Sequence, residues 1–238
     1  MRTRWLYRLL PLSVVNLRGV RLDISSPKIA PAIKYGIRRG WYEIDELESI
    51  VSLVDDGDTI LEVGAGCGFV SAYLARQFPA SRIITVEADP ELMPIIERNH
   101  QLNGVHVEVV NEVLGTGAGE ATFHVQEEYW TSKLAGHDDS PATGARSIVV
   151  RQSDFIERLH LWQPRALIID IEGGELNLLT RELPPFVTTV VLECHEEAYG
   201  LAGVKRLMDN MSAMGFAYVP GSSRRNVLAY RRLAGGGS

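Results

Sequence analysis

Three acids and a histidine in this chain fall where apolar runs end. Ile168-Ile169-Asp170-Ile171-Glu172-Gly173-Gly174-Glu175 is an apolar stretch followed by carboxylates at 170, 172 and 175. A second apolar stretch, Val187 to Leu192, ends in Glu193-Cys194-His195. Ligands of a parallel sheet bind beyond the carboxyl ends of its strands, so both clusters fall where a site forms. Asp170, Glu172 and His195 are therefore the catalytic candidates. Any of them can serve as general base toward a weak nucleophile. Together they can also hold a divalent cation, and two carboxylates with one imidazole suit Mg²⁺ or Mn²⁺ better than zinc. The residues allow that metal reading without favouring it. The plainer reading has Glu175 complementing the dipole of the next helix and Asp170 capping its strand. It explains one or two of the acids, and poorly explains three.

A second constellation is Ile60-Leu61-Glu62-Val63-Gly64-Ala65-Gly66-Cys67-Gly68, an apolar run, an acid and glycines at alternate positions. It reads as a strand, a tight loop and a helix start, with glycines that let a ligand approach the backbone. The dinucleotide pattern G-x-G-x-x-G would need glycine at 69, which is Phe69. With no pyrophosphate to cradle, and with Glu62 ahead of the loop, the better match is S-adenosyl-L-methionine, whose sulfonium and ammonium are cationic. Arg82 to Glu87 is a β-branched strand ending in an acid 19 positions after Gly68, where a carboxylate can accept both hydrogen bonds of a ribose diol. Asp89-Pro90 then opens a helix. The cofactor-binding candidates are Glu62, Gly64, Gly66, Gly68, Glu87, Asn111, Glu112 and Asp170. Tyr42, Glu43, Trp130 and Ser132 are the acceptor-binding candidates.

The elements that must position these groups alternate. Strands are expected at 59–63, 82–86, 105–110, 166–169 and 187–192, with helices over 44–54, 69–78, 90–102, 173–181 and 201–214. Short strands near 216–219 and 226–230 close the chain. Residues 14–24 alternate on both sides of Gly19 and read as a hairpin. Two strands near 121–126 and 147–151 flank a polar loop, 127–145, that carries Tyr129, Trp130, Ser132, Lys133, His137, Asp138 and Asp139. A loop this long is usually functional or disordered, and as a functional loop it would cover the acceptor, with Trp130 offering a stacking face. Asp154-x-x-Glu157 resembles a capping box. The expected fold is α/β and Rossmann-like: a seven-stranded, mostly parallel sheet with an antiparallel last strand, an N-terminal hairpin and an inserted hairpin and loop. The expected organisation is a basic extension over 1–40, the main domain over 41–232 and a flexible tail over 233–238.

Net charge is −6, but residues 1–40 hold nine Lys/Arg and one acid, a local +8, which leaves −14 for the remainder. An acidic body is a poor general binder of nucleic acid, so none is expected as partner. Two distant cysteines give neither a disulfide framework nor a zinc site and point to a reducing, cytoplasmic compartment. No stretch approaches the ~18–20 apolar residues of a membrane span.

The chain resembles the FkbM-type methyltransferases from about Asn16 to Tyr230. The resemblance rests on Gly40-Trp41-Tyr42-Glu43, on the glycine loop 61–68, on Val86-Glu87-Ala88-Asp89-Pro90 and above all on Asp170-Ile171-Glu172-Gly173-Gly174-Glu175. It implies a class I methyltransferase fold and S-adenosylmethionine-dependent O-methylation of a hydroxyl on a sugar, glycan or natural product, a small-molecule or glycan acceptor. The other readings are an RNA or protein methyltransferase, or a module that binds the cofactor without catalysis.

Overall fold

The computed structural model describes residues 13–125, 133–134 and 146–234. A hairpin, β1 (Val14–Leu17) and β2 (Val20–Asp23), precedes two helices, α1 (Pro31–Arg39) and α2 (Ile44–Val51). The hairpin turns on Arg18 and Gly19, both at positive φ, as a two-residue loop of right-handed strands requires. Then β3 (Thr59–Val63), α3 (Phe69–Gln77), β4 (Arg82–Glu87), α4 (Met93–Asn103) and β5 (Glu108–Asn111) alternate. An insertion follows: β6 (Val113–Gly115), β7 (Gly119–Val125), β8 (Lys133–Leu134) and β9 (Arg146–Asp154). The chain returns through α5 (Phe155–Trp162), β10 (Ala166–Ile169), α6 (Glu175–Leu178), β11 (Thr189–Glu193), α7 (Glu196–Ala213), β12 (Phe216–Tyr218) and β13 (Val227–Arg232).

The main sheet has seven strands in the order β12-β13-β11-β10-β3-β4-β5. The five strands from β11 to β5 run parallel, and β13 is antiparallel to both its neighbours. Both faces are covered, which is why the strands read as unbroken apolar runs rather than alternating ones. Ile60 and Ile168 belong to a core shared with Phe69, Ile50 and the hairpin residues Val20 and Leu22. Leu61, Val63 and Ile169 face the opposite core, with Phe155, Leu159 and Leu207. From β3 the chain crosses to β4 on one side, and it later returns to β10 on the other. The order therefore reverses between β3 and β10, and the crevice lies beyond their carboxyl ends.

Several elements differ from expectation for local reasons. The insertion is a four-stranded sheet, β6-β9-β7-β8, rather than a hairpin. The segment around Asp89-Pro90 is a turn, because Glu87 Oε1 accepts from Asp89 N (2.8 Å) and Asp89 Oδ1 from Glu91 N (2.9 Å), so α4 begins at Met93 with Pro94 in its first turn. Helix α6 is only four residues long, since Glu172 and Gly173 hold positive φ and stop it from starting earlier. Gly200 (φ 64°, ψ 175°) breaks α7 into a short turn and the expected helix. Helix α1 was not anticipated, although Pro31 opens it and Gly40 ends it in the left-handed conformation. Asp154 caps α5 as expected, its Oδ1 accepting from Glu157 N at 3.0 Å. Tyr129, Trp130, Ser132, His137, Asp138 and Asp139, the side chain of Lys133, and the tail 235–238 lie outside the described residues.

Candidate active site

A cavity of about 690 Å³ opens beyond the ends of β3, β4 and β10. Its floor depends on Gly64, whose N–H donates to Val86 O (2.9 Å). A Cβ on Gly64 would sit 1.7 Å from the carbonyl oxygen of Asp170, and its φ is +95°. The two loops touch here, and only glycine fits. Gly66, also at positive φ, donates its N–H to Glu87 Oε2 at 3.2 Å. Glu87 is buried at the end of β4, and desolvation lifts its carboxyl to about 7 against the pull of the Asp89 and Gly66 amides. Glu112 sits at the far wall. Its Oε2 accepts from Ser153 Oγ (2.9 Å) and Arg158 (2.5 Å), while its buried Oε1 has no partner among the described residues.

Three cofactor candidates stand outside the cavity wall. Glu62 is buried within the sheet with Thr85 Oγ1 donating to it, so it does not face the ligand space. Val63, one residue on and facing the other side of the sheet, lines the cavity instead. Gly68 is a packing residue: a Cβ there would meet Ile96 and His100 at 3.1–3.2 Å. Asn111 donates to the carbonyls of Glu87 (2.8 Å) and Ala88 (3.2 Å), and so braces the Glu87 turn.

At the other end, Asp170 and Glu172 line the cavity and His195 lies behind them. His195 is 4% exposed. Its Nε2 is 3.6 Å from Asp170 Oδ1 and 3.3 Å from Glu172 Oε2, and its Nδ1 is 3.2 Å from Glu175 Oε1. Burial opposes the imidazolium, but Glu175, Asp170 and Glu172 outweigh it and raise His195 to about 10. Burial, then the charges of Glu193 and Glu172, hold Asp170 well above the usual carboxylate range. Glu175 is fully buried, with Oε1 accepting from Ile171 N (3.0 Å) and Gly173 N (3.3 Å). Glu175 is the first-turn acid of α6, as the plainer reading had it, and it also forms the floor of the acid cluster.

The mouth adds more acid. Glu43, at positive φ ahead of α2, and Glu46 line it. Desolvation pushes Glu43 well above its ordinary value, and desolvation followed by the charge of Glu193 pushes Glu46 to about 8. Tyr42 lines the same wall, and Trp41 stands 57% exposed at its edge. Among the described residues, Arg225 is the one cation lining the cavity, 3.3 Å from Asp45. Glu46 sits in no motif, and Glu193 stands in the sequence only as the end of an apolar run, beside the His195 taken as the candidate. The apolar periodicity of α2 gave the only signal, by placing Glu46 on a helix whose start faces the strand ends.

A family model described as the TRM5/TYW2 methyltransferase domain matches residues 37–120, the stretch that contains Gly64, Gly66, Glu87 and Glu112. A ribosomal protein L11 methyltransferase of Caldicellulosiruptor bescii is 33% identical over 93 residues, 39% of this chain and 30% of that protein. Methyltransferase 1 of Beauveria bassiana is 25% identical over 198 residues, 73% of this chain and 78% of that protein. The solved Pyrococcus abyssi tRNA (uracil-54, C5)-methyltransferase in complex with S-adenosyl-L-homocysteine matches with a TM-score of 0.49 at 13% identity, covering 91% of this chain and 42% of that one. This chain spans less than half the length of the L11 methyltransferases it matches.

The fold is the Rossmann-like fold of class I methyltransferases, and the chain carries a methyltransferase domain of the class whose cofactor is S-adenosylmethionine. The residues fit that cofactor. Gly66 lines the cavity without a side chain, Glu87 keeps free lone pairs, and Glu112 Oε1 is a buried acceptor without a partner among the described residues. Two expectations are corrected. The FkbM-type resemblance gives way to the TRM5/TYW2 match, which runs continuously over 37–120, whereas the resemblance rested on short motifs that related folds share. The expectation of a small-molecule or glycan acceptor with no nucleic acid falls with it, since the matching family model is the TRM5/TYW2 methyltransferase domain and the L11 relatives are named for a ribosomal protein. The acidic remainder was the wrong guide, because the local +8 of residues 1–40 can meet phosphate whatever the charge of the rest. Among the described residues no helix is long and apolar enough to cross a membrane.

Proposed function

We propose that this chain is an S-adenosylmethionine-dependent methyltransferase whose acceptor is a macromolecule, with a protein as the first choice. One observation carries the reading: a single cavity joins a nucleoside-shaped end, built on Gly64, Gly66, Glu87 and Glu112, to an acid-lined end at Asp170 and Glu172. The cofactor supplies an activated methyl group on a cationic sulfur. The chain's own groups then have distinct tasks. Glu87 accepts from a ribose diol while Asn111 braces its turn. Gly64 lets its loop close on the Asp170 carbonyl beneath the ligand space, and Gly66 lines that space without a side chain. Glu172, 35% exposed at the cavity edge, is placed to accept a hydrogen bond from the incoming nucleophile. Positioning supplies much of the rate, because the methyl donor is already electrophilic.

The protein acceptor is supported by the names of the L11 relatives and by the acids at the mouth, Glu43, Glu46 and Glu193, which attract a basic peptide and repel phosphate. An RNA acceptor is the second reading, favoured by the TRM5/TYW2 match and by the +8 of residues 1–40. The test is transfer of tritiated methyl from S-adenosylmethionine into a ribosome-rich extract, followed by separate protease and ribonuclease digestion. Label released by protease supports the first reading, and label released by ribonuclease supports the second. No incorporation by a folded chain that also fails to bind S-adenosylhomocysteine overturns both.

A further inference from the structure

We propose that Asp170, Glu175 and His195 form a divalent-cation site, fitted to Mn²⁺ or Mg²⁺, beyond the carboxyl ends of β10 and β11. One ligand atom from each of the three lies within 4.8 Å of the others. An acidic cluster alone would say little. The second observation is that two buried carboxylate oxygens on these same residues, Asp170 Oδ1 and Glu175 Oε2, lack a hydrogen-bond partner among the described residues, while His195 Nδ1 meets only Glu175 Oε1 at 3.2 Å. Glu175 is fully buried and His195 is 4% exposed, so water does not satisfy these atoms from bulk solvent. A buried carboxylate oxygen left bare costs about 1–3 kcal/mol or more.

Charge leads to the same place. Asp170, Glu172 and Glu175 bring three carboxylates within 3.6 Å of one imidazole ring. A proton on His195 answers one of them, and a divalent cation answers two. The donor set of one imidazole nitrogen and two carboxylate oxygens suits Mn²⁺ or Mg²⁺ better than zinc or copper. The cluster is also held rigid, as a metal site needs. The amides of Ile171 and Gly173 fix Glu175 through its other oxygen, Oε1, and Tyr199 Oη accepts from His195 N at 2.8 Å. Residue 172 adopts positive φ, which turns the chain so that 170 and 175 face the same ring. Glu172 closes the side toward the cavity, where a bound cation would draw an oxygen of the acceptor and lower its pKa. The sequence reading had offered Asp170, Glu172 and His195 for such a cation. The structure exchanges Glu172 for Glu175, the deeper and barer group.

The test uses the full chain, freed of metal by dialysis against chelator. Mn²⁺ is titrated in, and free Mn²⁺ is followed by electron paramagnetic resonance. One saturable site per chain is expected, with Mg²⁺ competing for it. His195→Ala and Glu175→Gln should each weaken it at least about tenfold, the scale on which ligand and supporting groups act. Asp170→Asn, at the 27% exposed edge of the cluster, serves if a buried variant does not fold. Thermal melting of the same samples is the fold control, and S-adenosylhomocysteine binding is measured alongside it. Retained S-adenosylhomocysteine binding with no saturable Mn²⁺ binding overturns the cation site and leaves the methyltransferase reading standing. Mn²⁺ binding that survives all folded variants unchanged overturns it equally.

Discussion

The two ends of the cavity treat their carboxylates in opposite ways. At the end proposed for the nucleoside each acid is answered by the chain itself: Glu87 by the amides of Gly66 and Asp89, Glu112 by Ser153 and Arg158. At the end proposed for the acceptor the acids answer one another. Glu46 lies against Glu193, and Asp170 and Glu172 share one histidine with Glu175. A preorganised end can bind its ligand with little rearrangement. An end of mutually repelling carboxylates stays incomplete until something cationic arrives, whether a metal ion or a basic acceptor.

The contrast can be broken most severely at its hinge. Gly64→Ala puts a methyl group against the Asp170 carbonyl and demands a left-handed φ, so both ends suffer together. Binding of S-adenosylhomocysteine should fall by about 100-fold or more, and the melting temperature should drop by several degrees. Calorimetry and thermal melting check this, and unchanged affinity would place the ligand elsewhere.

Next comes Glu87. Glu87→Gln should weaken S-adenosylhomocysteine by about 1–3 kcal/mol while leaving the fold intact. The pH profile sharpens the point. Glu87 titrates near 7 in the free chain, with Asp89 and Glu62 as its acidic neighbours, and only the ionised form accepts both diol hydrogen bonds fully. Affinity should therefore rise from pH 6 to pH 8 and then level off. In Glu87→Gln that slope should vanish.

A smaller effect probes the acceptor end. Glu46 is raised to about 8 in the folded chain, above its unfolded value, so the native state binds the extra proton between about pH 4.5 and 8. Stability is then lost as pH rises through that window. Glu46→Gln should remove the loss, raising the melting temperature by about 2–6 °C at pH 8.5 with little change at pH 5. An identical shift at both pH values would mean that repulsion at this mouth is not the cause.

The smallest effect is expected at the rim. Arg225 is 82% exposed and pairs with Asp45 at 3.3 Å. Exposed pairs contribute about 0–1 kcal/mol, so Arg225→Ala should move neither melting temperature nor S-adenosylhomocysteine affinity measurably. A large loss of either would show that the mouth is built more tightly than its acids imply.

Local pattern determined much of this protein. The apolar runs 59–63 and 166–169 are strands with the expected bounds, the hairpin turns at Gly19, and Gly64, Gly66 and Glu87 are gathered at one cavity. These features follow from residue type and short-range periodicity, which a sequence displays openly. Tertiary structure decided which side chains share a space. The side of β3 on which Glu62 points depends on a register set by pairing with β4 and β10, and a single-residue step removes it from the ligand. Glu46 and Glu193 meet although they are far apart in sequence, because α2 packs against the end of β11. The bare oxygen of Glu175 is equally invisible in a sequence. Its neighbours there are glycines and a leucine, and only folding removes water from it while bringing His195 to within 3.2 Å of its other oxygen.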